Sequence, residues 1–351
     1  MFRYLSPLAL LLLIIASVAP TPHSQSSNLS SYYLYDPSAP LNVDEGIFLE
    51  ADKYAVMKIY YDSVNGERVP ALLSVPKGDD GPFPCILFLH GYGGEKEDMM
   101  PLATLAADAR YAVIAIDVQY HGERRRAGVE LYSANMTRTR DGFIQTVIDA
   151  RRALDYLETR QDIDPSKLAL VGGSMGALIG AILGGIEPRL GACVLVVGGG
   201  NMTLMVQRSQ HSALPAIREY LEANNISYRT VQEALDPVDP INFVDAISPR
   251  PLLMHNGKFD DIVPAESGQL LYERAKEPKE IYWYDTGHDV PLDIVTARTL
   301  DWLEYHLRGR TFAKYQSLYY LSRYWILAAL PVIAAFFLLW RRSLGRRNQR
   351  N

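Results

Sequence analysis

Cysteine is scarce: the chain of 351 residues has two, Cys85 and Cys193. Two thiols build no disulfide framework, and each stands in an apolar, strand-like run where cysteine behaves as a small buried hydrophobe. CxxC and HExxH are both missing, so the spacings that assemble a zinc centre are not there and no metal site is expected. Internal repeats are missing as well. Positive charge is scarce where a nucleic acid would need it. The net charge is −5, yet the last eleven residues, RRSLGRRNQRN, hold five arginines and no acid, which leaves −10 on the rest. No basic stripe interleaved with aromatics runs through that acidic body, which argues against a nucleic-acid partner.

Long apolar runs are confined to the two ends. The N-terminus, MFRYLSPLALLLLIIASVAP, has one cation, Arg3, then an apolar run from about Leu8 to Val18, then small residues. Residues 1–22 therefore read as a signal peptide or an uncleaved N-terminal anchor. The C-terminal stretch YWILAALPVIAAFFLLWRR is uncharged from Tyr324 to Trp340, is bracketed by Trp325 and Trp340, and ends on Arg341 and Arg342. It reads as a transmembrane helix over 324–340, preceded by a juxtamembrane piece, 311–323, and followed by a basic cytoplasmic tail, 341–351. The alternative is a buried C-terminal helix. The expectation is a single-pass protein of the cell membrane, held in the lipid bilayer by its C-terminal helix, with its main domain extracytoplasmic. Sequons at Asn28, Asn135, Asn201 and Asn225 are compatible with export.

Between the ends, residues 23–41 are rich in Ser and Pro and read as a linker. Strand-like and helix-like stretches then alternate. Tyr54 to Tyr61 and Val69 to Val75 read as strands around an Asn65-Gly66 turn. Pro84 to His90 and Tyr111 to Val118 are continuous apolar strands, with a helix over Met99 to Asp108 between them. Phe143, Val147, Ala150, Leu154 and Leu157 mark one face of a helix over Asp141 to Glu158. Ala192 to Val197, Pro251 to His255 and Glu280 to Tyr284 are further strands, and an amphipathic helix runs from about Pro291 to Leu307. Residues 201–247 break the rhythm and read as a helical lid insertion, with Met202, Leu204 and Met205 as candidates to line a cavity. Continuous apolar strands alternating with helices predict an α/β domain, a mostly parallel sheet covered on both faces. Chemistry collects at the carboxyl edge of such a sheet.

One stretch, KLALVGGSMGALIG from Lys167 to Gly180, sets a serine between glycines where a strand passes into a helix. A hydroxyl is a poor nucleophile unless a base, an acid that orients the base, and donors for an oxyanion surround it. A sharp strand-to-helix turn lifts the side chain above the sheet and aims a helix N-terminus at the developing charge. Gly172 and Gly176 flank Ser174 in the G-x-S-x-G pattern, and strand before with helix after make Ser174 the candidate nucleophile.

From about Asn42 to Arg310 the chain resembles the α/β-hydrolase superfamily, in the branch that holds dienelactone hydrolases, acetyl xylan esterases and prolyl oligopeptidase catalytic domains. The likeness rests on ordered motifs: RVPALLSVPKG, PCILFLHGYGG, YAVIAIDVQYHGER, LALVGGSMGA, SPRPLLMHNGKFDDIVP and YDTGH. It implies an α/β-hydrolase fold with an eight-stranded sheet in the order 1-2-4-3-5-6-7-8. It implies a triad in the chain order Ser, acid, His. GKFDDIVP matches the family's G-x-x-D-x-x-V-P and points to Asp260 as the acid, with Asp261 as its adjacent rival. His288, in TGHD after the last strand, is then the base, while His306 falls within a helix. The oxyanion donors would be the backbone N–H groups of Met175 and of Tyr92 in HGYGG, with His90 structural. Tyr120, His121 and Arg124, in QYHGERRR, are candidates to border the pocket, with a solvated turn as the other reading of Arg124 to Arg126. The strand order sets the fifth strand between Cys85 and Cys193, about 9 to 10 Å apart and beyond disulfide reach.

The resemblance thus implies a serine hydrolase that takes a small-molecule ester or acyl substrate and needs no cofactor. Carboxylic ester hydrolysis leads. Peptidase, thioesterase and acyltransferase activity use the same residues. A non-catalytic surface interaction domain is the reading from another class, and its usual sign, a missing nucleophile or histidine, is not met here.

Overall fold

The computed structural model describes residues 29–78 and 80–323. A nine-stranded sheet forms the centre. Its strands are β1 (Asp44–Glu50), β2 (Tyr54–Asp62), β3 (Arg68–Pro76), β4 (Phe83–Leu89), β5 (Ala112–Ile116), β6 (Ile163–Gly173), β7 (Leu190–Val196), β8 (Leu252–Gly257) and β9 (Lys279–Tyr284), in the spatial order β1-β2-β3-β5-β4-β6-β7-β8-β9. β1, β2 and β3 pair antiparallel, and β3 is antiparallel to β5. From β5 through β9 every pairing is parallel. Leaving out β1, the order is the expected 1-2-4-3-5-6-7-8, so the count of eight is corrected by one edge strand.

The central strands are apolar throughout because both their faces are covered. Leu168 and Leu170 of β6 and Cys193 and Leu195 of β7 join one core layer. Ala169 and Val171, with Ala192, Val194 and Val196, join the other. Helices α2 (Met136–Glu158) and α3 (Met175–Ile186) bury their apolar stripes on the first layer, with α7 (Ala265–Arg274) contributing Leu271. Helices α1 (Met100–Asp108) and α8 (Leu292–Arg308) cover the second. Each fully buried Leu or Val contributes roughly 1.5–3 kcal/mol. The fold therefore rests on these two layers, and the strand ends that they hold in place carry the loops of interest.

Helix α2 begins earlier than its apolar face predicts, because Asn135 caps it by accepting from the Arg138 N–H at 3.3 Å. Residues 201–247 fold as α4 (Met202–Arg208), α5 (Leu214–Ala223) and α6 (Tyr228–Leu235), followed by 3-10 turns. Asp239, fully buried, accepts from the N–H groups of Asn201 (2.9 Å) and Met202 (2.8 Å) and so ties the two ends of this segment together. Within the stretch read as a linker, Tyr33 is buried against Phe243, and its hydroxyl donates to the Pro237 carbonyl at 2.6 Å. Both cysteines are free and buried, on β4 and β7, with β6 between them.

The expected C-terminal transmembrane helix is corrected, and with it the single-pass membrane location built on it. Among the described residues no helix is long and apolar enough to cross a membrane. Helix α8 is amphipathic and packs its apolar side on the sheet, and the helical residues 314–323 include Lys314 and Arg323. The run 324–340, the tail 341–351 and the N-terminal stretch 1–22 lie outside the described residues.

Candidate active site

Ser174 occupies the turn from β6 into α3 with φ 53° and ψ −118°, a backbone region costly for any residue with a Cβ. Its N–H donates to the Val196 carbonyl at 2.8 Å, which fastens the turn to the neighbouring strand. The flanking glycines are sterically required. A Cβ on Gly172 would lie 2.3 Å from the Gly176 carbonyl oxygen, and one on Gly176 would lie 2.0 Å from the Leu89 carbonyl oxygen. Immediately after the serine comes Met175, the first residue of α3. Its N–H has no acceptor within the helix and sits at the positive end of the helix dipole. The loop after β4 passes against the same serine: a Cβ on Gly91 would rest 3.5 Å from that of Ser174.

Asp260 follows β8. Its Oδ1 accepts from the N–H groups of Ile262 (2.9 Å) and Val263 (3.0 Å), which leaves Oδ2 aimed at the ring of His288, 2.8 Å from Nδ1. The Asp260 side chain is fully buried, that of His288 about a fifth exposed at 22%. A carboxylate only accepts, so Nδ1 carries the proton and Nε2 presents a lone pair. Ser174 Oγ donates to that Nε2 at 2.9 Å. Ser174, His288 and Asp260 thus form one hydrogen-bonded chain across three loops at the carboxyl edge of the sheet. Asp261 is exposed, and its carbonyl accepts from the Gln210 N–H at 2.7 Å.

A cavity of about 60 Å³ opens beside Ser174. Tyr92, Tyr132 and His211 stand around it, and Met202 and Met205 of α4 line it as expected, whereas Leu204 does not. Tyr92 and Tyr132 stack in parallel, 4.9 Å between centroids, and His211 packs perpendicular to both. His211 Nδ1 accepts from the Ala213 N–H at 3.2 Å, so its proton sits on Nε2. Burial, then the charge of His288, pulls its pKa below the ordinary histidine value.

Tyr120 and His121 do not border this cavity. They line an adjoining cleft on the far side of Tyr92. His121 is buried, with Nδ1 donating to the Gln119 carbonyl at 3.0 Å, and burial lowers its pKa. His90 is structural: its Nε2 accepts from the Val118 N–H at 3.0 Å and its Nδ1 donates to the Gly91 carbonyl at 2.8 Å.

Residues 40–306 match the family model for acetyl xylan esterase (AXE1). The chain belongs to the acetyl xylan esterase family. It is therefore an ester-hydrolysing enzyme of the serine hydrolase type, on an α/β-hydrolase fold. It is 26% identical over 215 residues to the esterase YjfP of Escherichia coli, covering 60% of this chain and 82% of that one. It is 24% identical over 247 residues to the putative hydrolase YtaP of Bacillus subtilis, covering 65% and 77%. In fold it is similar to the acetyl xylan esterase from a Paenibacillus species, with TM-score 0.68, 20% identity, and 80% and 93% of the two chains covered. It is also similar to acetyl xylan esterase 1 from a Thermoanaerobacterium species, with TM-score 0.67 and 18% identity over 80% and 94%.

Beside these family features lies a charged cluster that sequence reasoning missed. Lys96, just past the HGYGG loop, is buried and reaches Asp117 at 3.1 Å and Glu123 at 2.6 Å. Asp117, wholly buried, also accepts from the N–H groups of Lys96 (2.8 Å) and Glu123 (2.9 Å). Burial pulls the Lys96 ammonium down, but the hydrogen bonds and charges of Glu123 and Asp117 outweigh it and hold it above the ordinary lysine value. Arg124, expected in a solvated turn, is buried and pairs with Asp149 at 2.6 Å and Glu67 at 3.0 Å. No local signal marks these pairs, because the partners stand far along the chain. Among the described residues no cluster of ligating side chains could hold a metal ion.

Proposed function

We propose that this enzyme cleaves carboxylic esters through an acyl-enzyme, with Ser174 as nucleophile, His288 as general base and then acid, and Asp260 orienting the imidazole. Ser174 Oγ attacks the ester carbonyl carbon while its proton passes to His288 Nε2. The carbonyl oxygen becomes an oxyanion and takes hydrogen bonds from the N–H groups of Met175 and Tyr92, each such donor being worth about 3 kcal/mol of barrier. Collapse expels the alcohol, which takes the proton from His288. Water then repeats the sequence on the acyl-serine, giving up a proton to His288 and returning Ser174 to its hydroxyl.

What carries the reading is the unbroken chain from Ser174 Oγ to His288 (2.9 Å) and from His288 to Asp260 (2.8 Å). The strained turn at Ser174 and the helix N-terminus behind it support the same roles. A fluorophosphonate probe is expected to label the wild type and to leave Ser174→Ala unlabelled. On a panel of p-nitrophenyl esters, acetylated carbohydrate and peptide amides, the esters should turn over and the amides should not. Labelling that survives Ser174→Ala, or amides turned over faster than esters, would overturn it.

A further inference from the structure

The cavity beside Ser174 is far larger and more apolar than an acetyl group needs. Its walls include Met136 of α2, Leu178 of α3, Met205 of α4, Ile217 of α5 and Leu235 of α6. Two of the polar side chains that reach it are already engaged. Thr139 Oγ1 donates to the Leu131 carbonyl at 2.9 Å, and Ser209 Oγ donates to the Ile262 carbonyl at 2.6 Å. A volume of about 60 Å³ has room for roughly four water-sized groups, at ~10–15 Å³ each. One methyl would leave most of it without contact, and apolar walls facing an empty gap forfeit their dispersion energy.

The direction of the cavity decides which half of the ester it takes. On the catalytic reading above, the leaving oxygen must lie next to His288 Nε2, which hands it a proton. Tyr92 and Ser174 line the cavity and His288 does not. The alcohol therefore departs on the partly exposed His288 side, and the acyl group points away from it, under α4, α5 and α6. Three methionines in this wall, Met136, Met202 and Met205, are unbranched and adjust to chains of differing length.

We infer that the acyl substrate is a short-to-medium aliphatic chain, on the order of four to six carbons, seated between α2, α3 and the 201–247 segment. This rests on the catalytic reading of Ser174 and His288. Each methylene buried in the slot should raise kcat/KM about fourfold until the slot is full.

The test is kcat/KM of the full chain on p-nitrophenyl acetate, butyrate, hexanoate, octanoate and decanoate. Butyrate is expected to exceed acetate by at least about tenfold, with the maximum at butyrate or hexanoate. Ile217→Trp and Met205→Trp fill the slot and should each lower the hexanoate-to-acetate ratio about tenfold or more. That ratio is internal to each variant, so partial unfolding lowers both rates together and leaves it unmoved. A Ser174-dependent profile that peaks on acetate, or a ratio unchanged in both variants, overturns the inference and leaves the catalytic reading standing. Loss of all probe labelling and hydrolysis in the wild type removes both.

Discussion

Asp260 and Asp261 are neighbours with opposite surroundings, and nothing in the dipeptide itself separates them. The difference is made by the turn after β8, whose N–H groups at Ile262 and Val263 grip one oxygen of Asp260 and turn the other toward His288. Asp260→Asn should keep the fold and lower kcat by about 10⁴-fold, since an amide supports the wrong imidazole tautomer. Asp261→Asn, at an exposed side chain, should stay within about twofold. Steady-state kinetics on one ester checks both, and a larger loss in Asp261→Asn than in Asp260→Asn would reverse the assignment. That Ser174 and His288 should meet was legible in the sequence, because steric need writes glycines around one and the chain order implied by the family resemblance points to the other. Arg124 was not, because a buried charge is betrayed only by partners such as Asp149 and Glu67, which the fold brings from elsewhere. His211 was equally silent: its place beside Tyr92 and Tyr132 is a product of how the 201–247 segment docks.

The parallel strands were legible as elements, since burial on both faces demands unbroken apolar runs. Strand β1 was not, because all seven of its residues are exposed and DEGIFLE carries no clean alternation. It forms by pairing its backbone with β2, a gain that depends on a partner already in place. Loops show the same dependence. The HGYGG loop is held to the loop after β5 by Lys96 and Asp117, both almost without solvent contact. Lys96→Met should strand the Asp117 carboxylate and cost about 3–5 kcal/mol. Urea unfolding measures it, and a loss below about 1 kcal/mol would mean that the N–H groups of Lys96 and Glu123 satisfy Asp117 unaided. The insertion is joined to the Asp260 loop by two further bonds, from the Ser209 hydroxyl to the Ile262 carbonyl (2.6 Å) and from the Gln210 N–H to the Asp261 carbonyl (2.7 Å). The cavity wall and the Asp260 carboxylate thus share one support.

For the whole molecule, part of the response to acid is written in His255, together with His90, His121 and His211, whose pKa values burial also lowers. His255 is wholly buried on β8, with Nδ1 2.9 Å from the Tyr284 hydroxyl, and burial followed by the charge of Arg298 depresses its pKa to about 3. Unfolded, the same imidazole takes up its proton near the ordinary value of 6.5. Between those values the unfolded chain binds a proton that the folded one refuses, so stability falls as pH drops below about 6.5, by up to about 1.4 kcal/mol per unit, until about 3. His255→Gln should make that slope shallower in urea titrations run from pH 7 to pH 4. A slope identical to wild type would place the acid sensitivity elsewhere.

The two thiols offer a clock. Cys85 and Cys193 lie in the innermost strands, and burial drives their ionisation upward, to about 12 for Cys193. Neither sulfur can meet a maleimide until the sheet comes apart. Alkylation of the native enzyme should therefore proceed at the rate of global opening, faster with added urea and indifferent to ester bound at Ser174 except through the stability that ester confers. Any cysteine grafted onto the surface would react first and alone, giving a single attachment point for a dye or a tether on the otherwise unaltered chain.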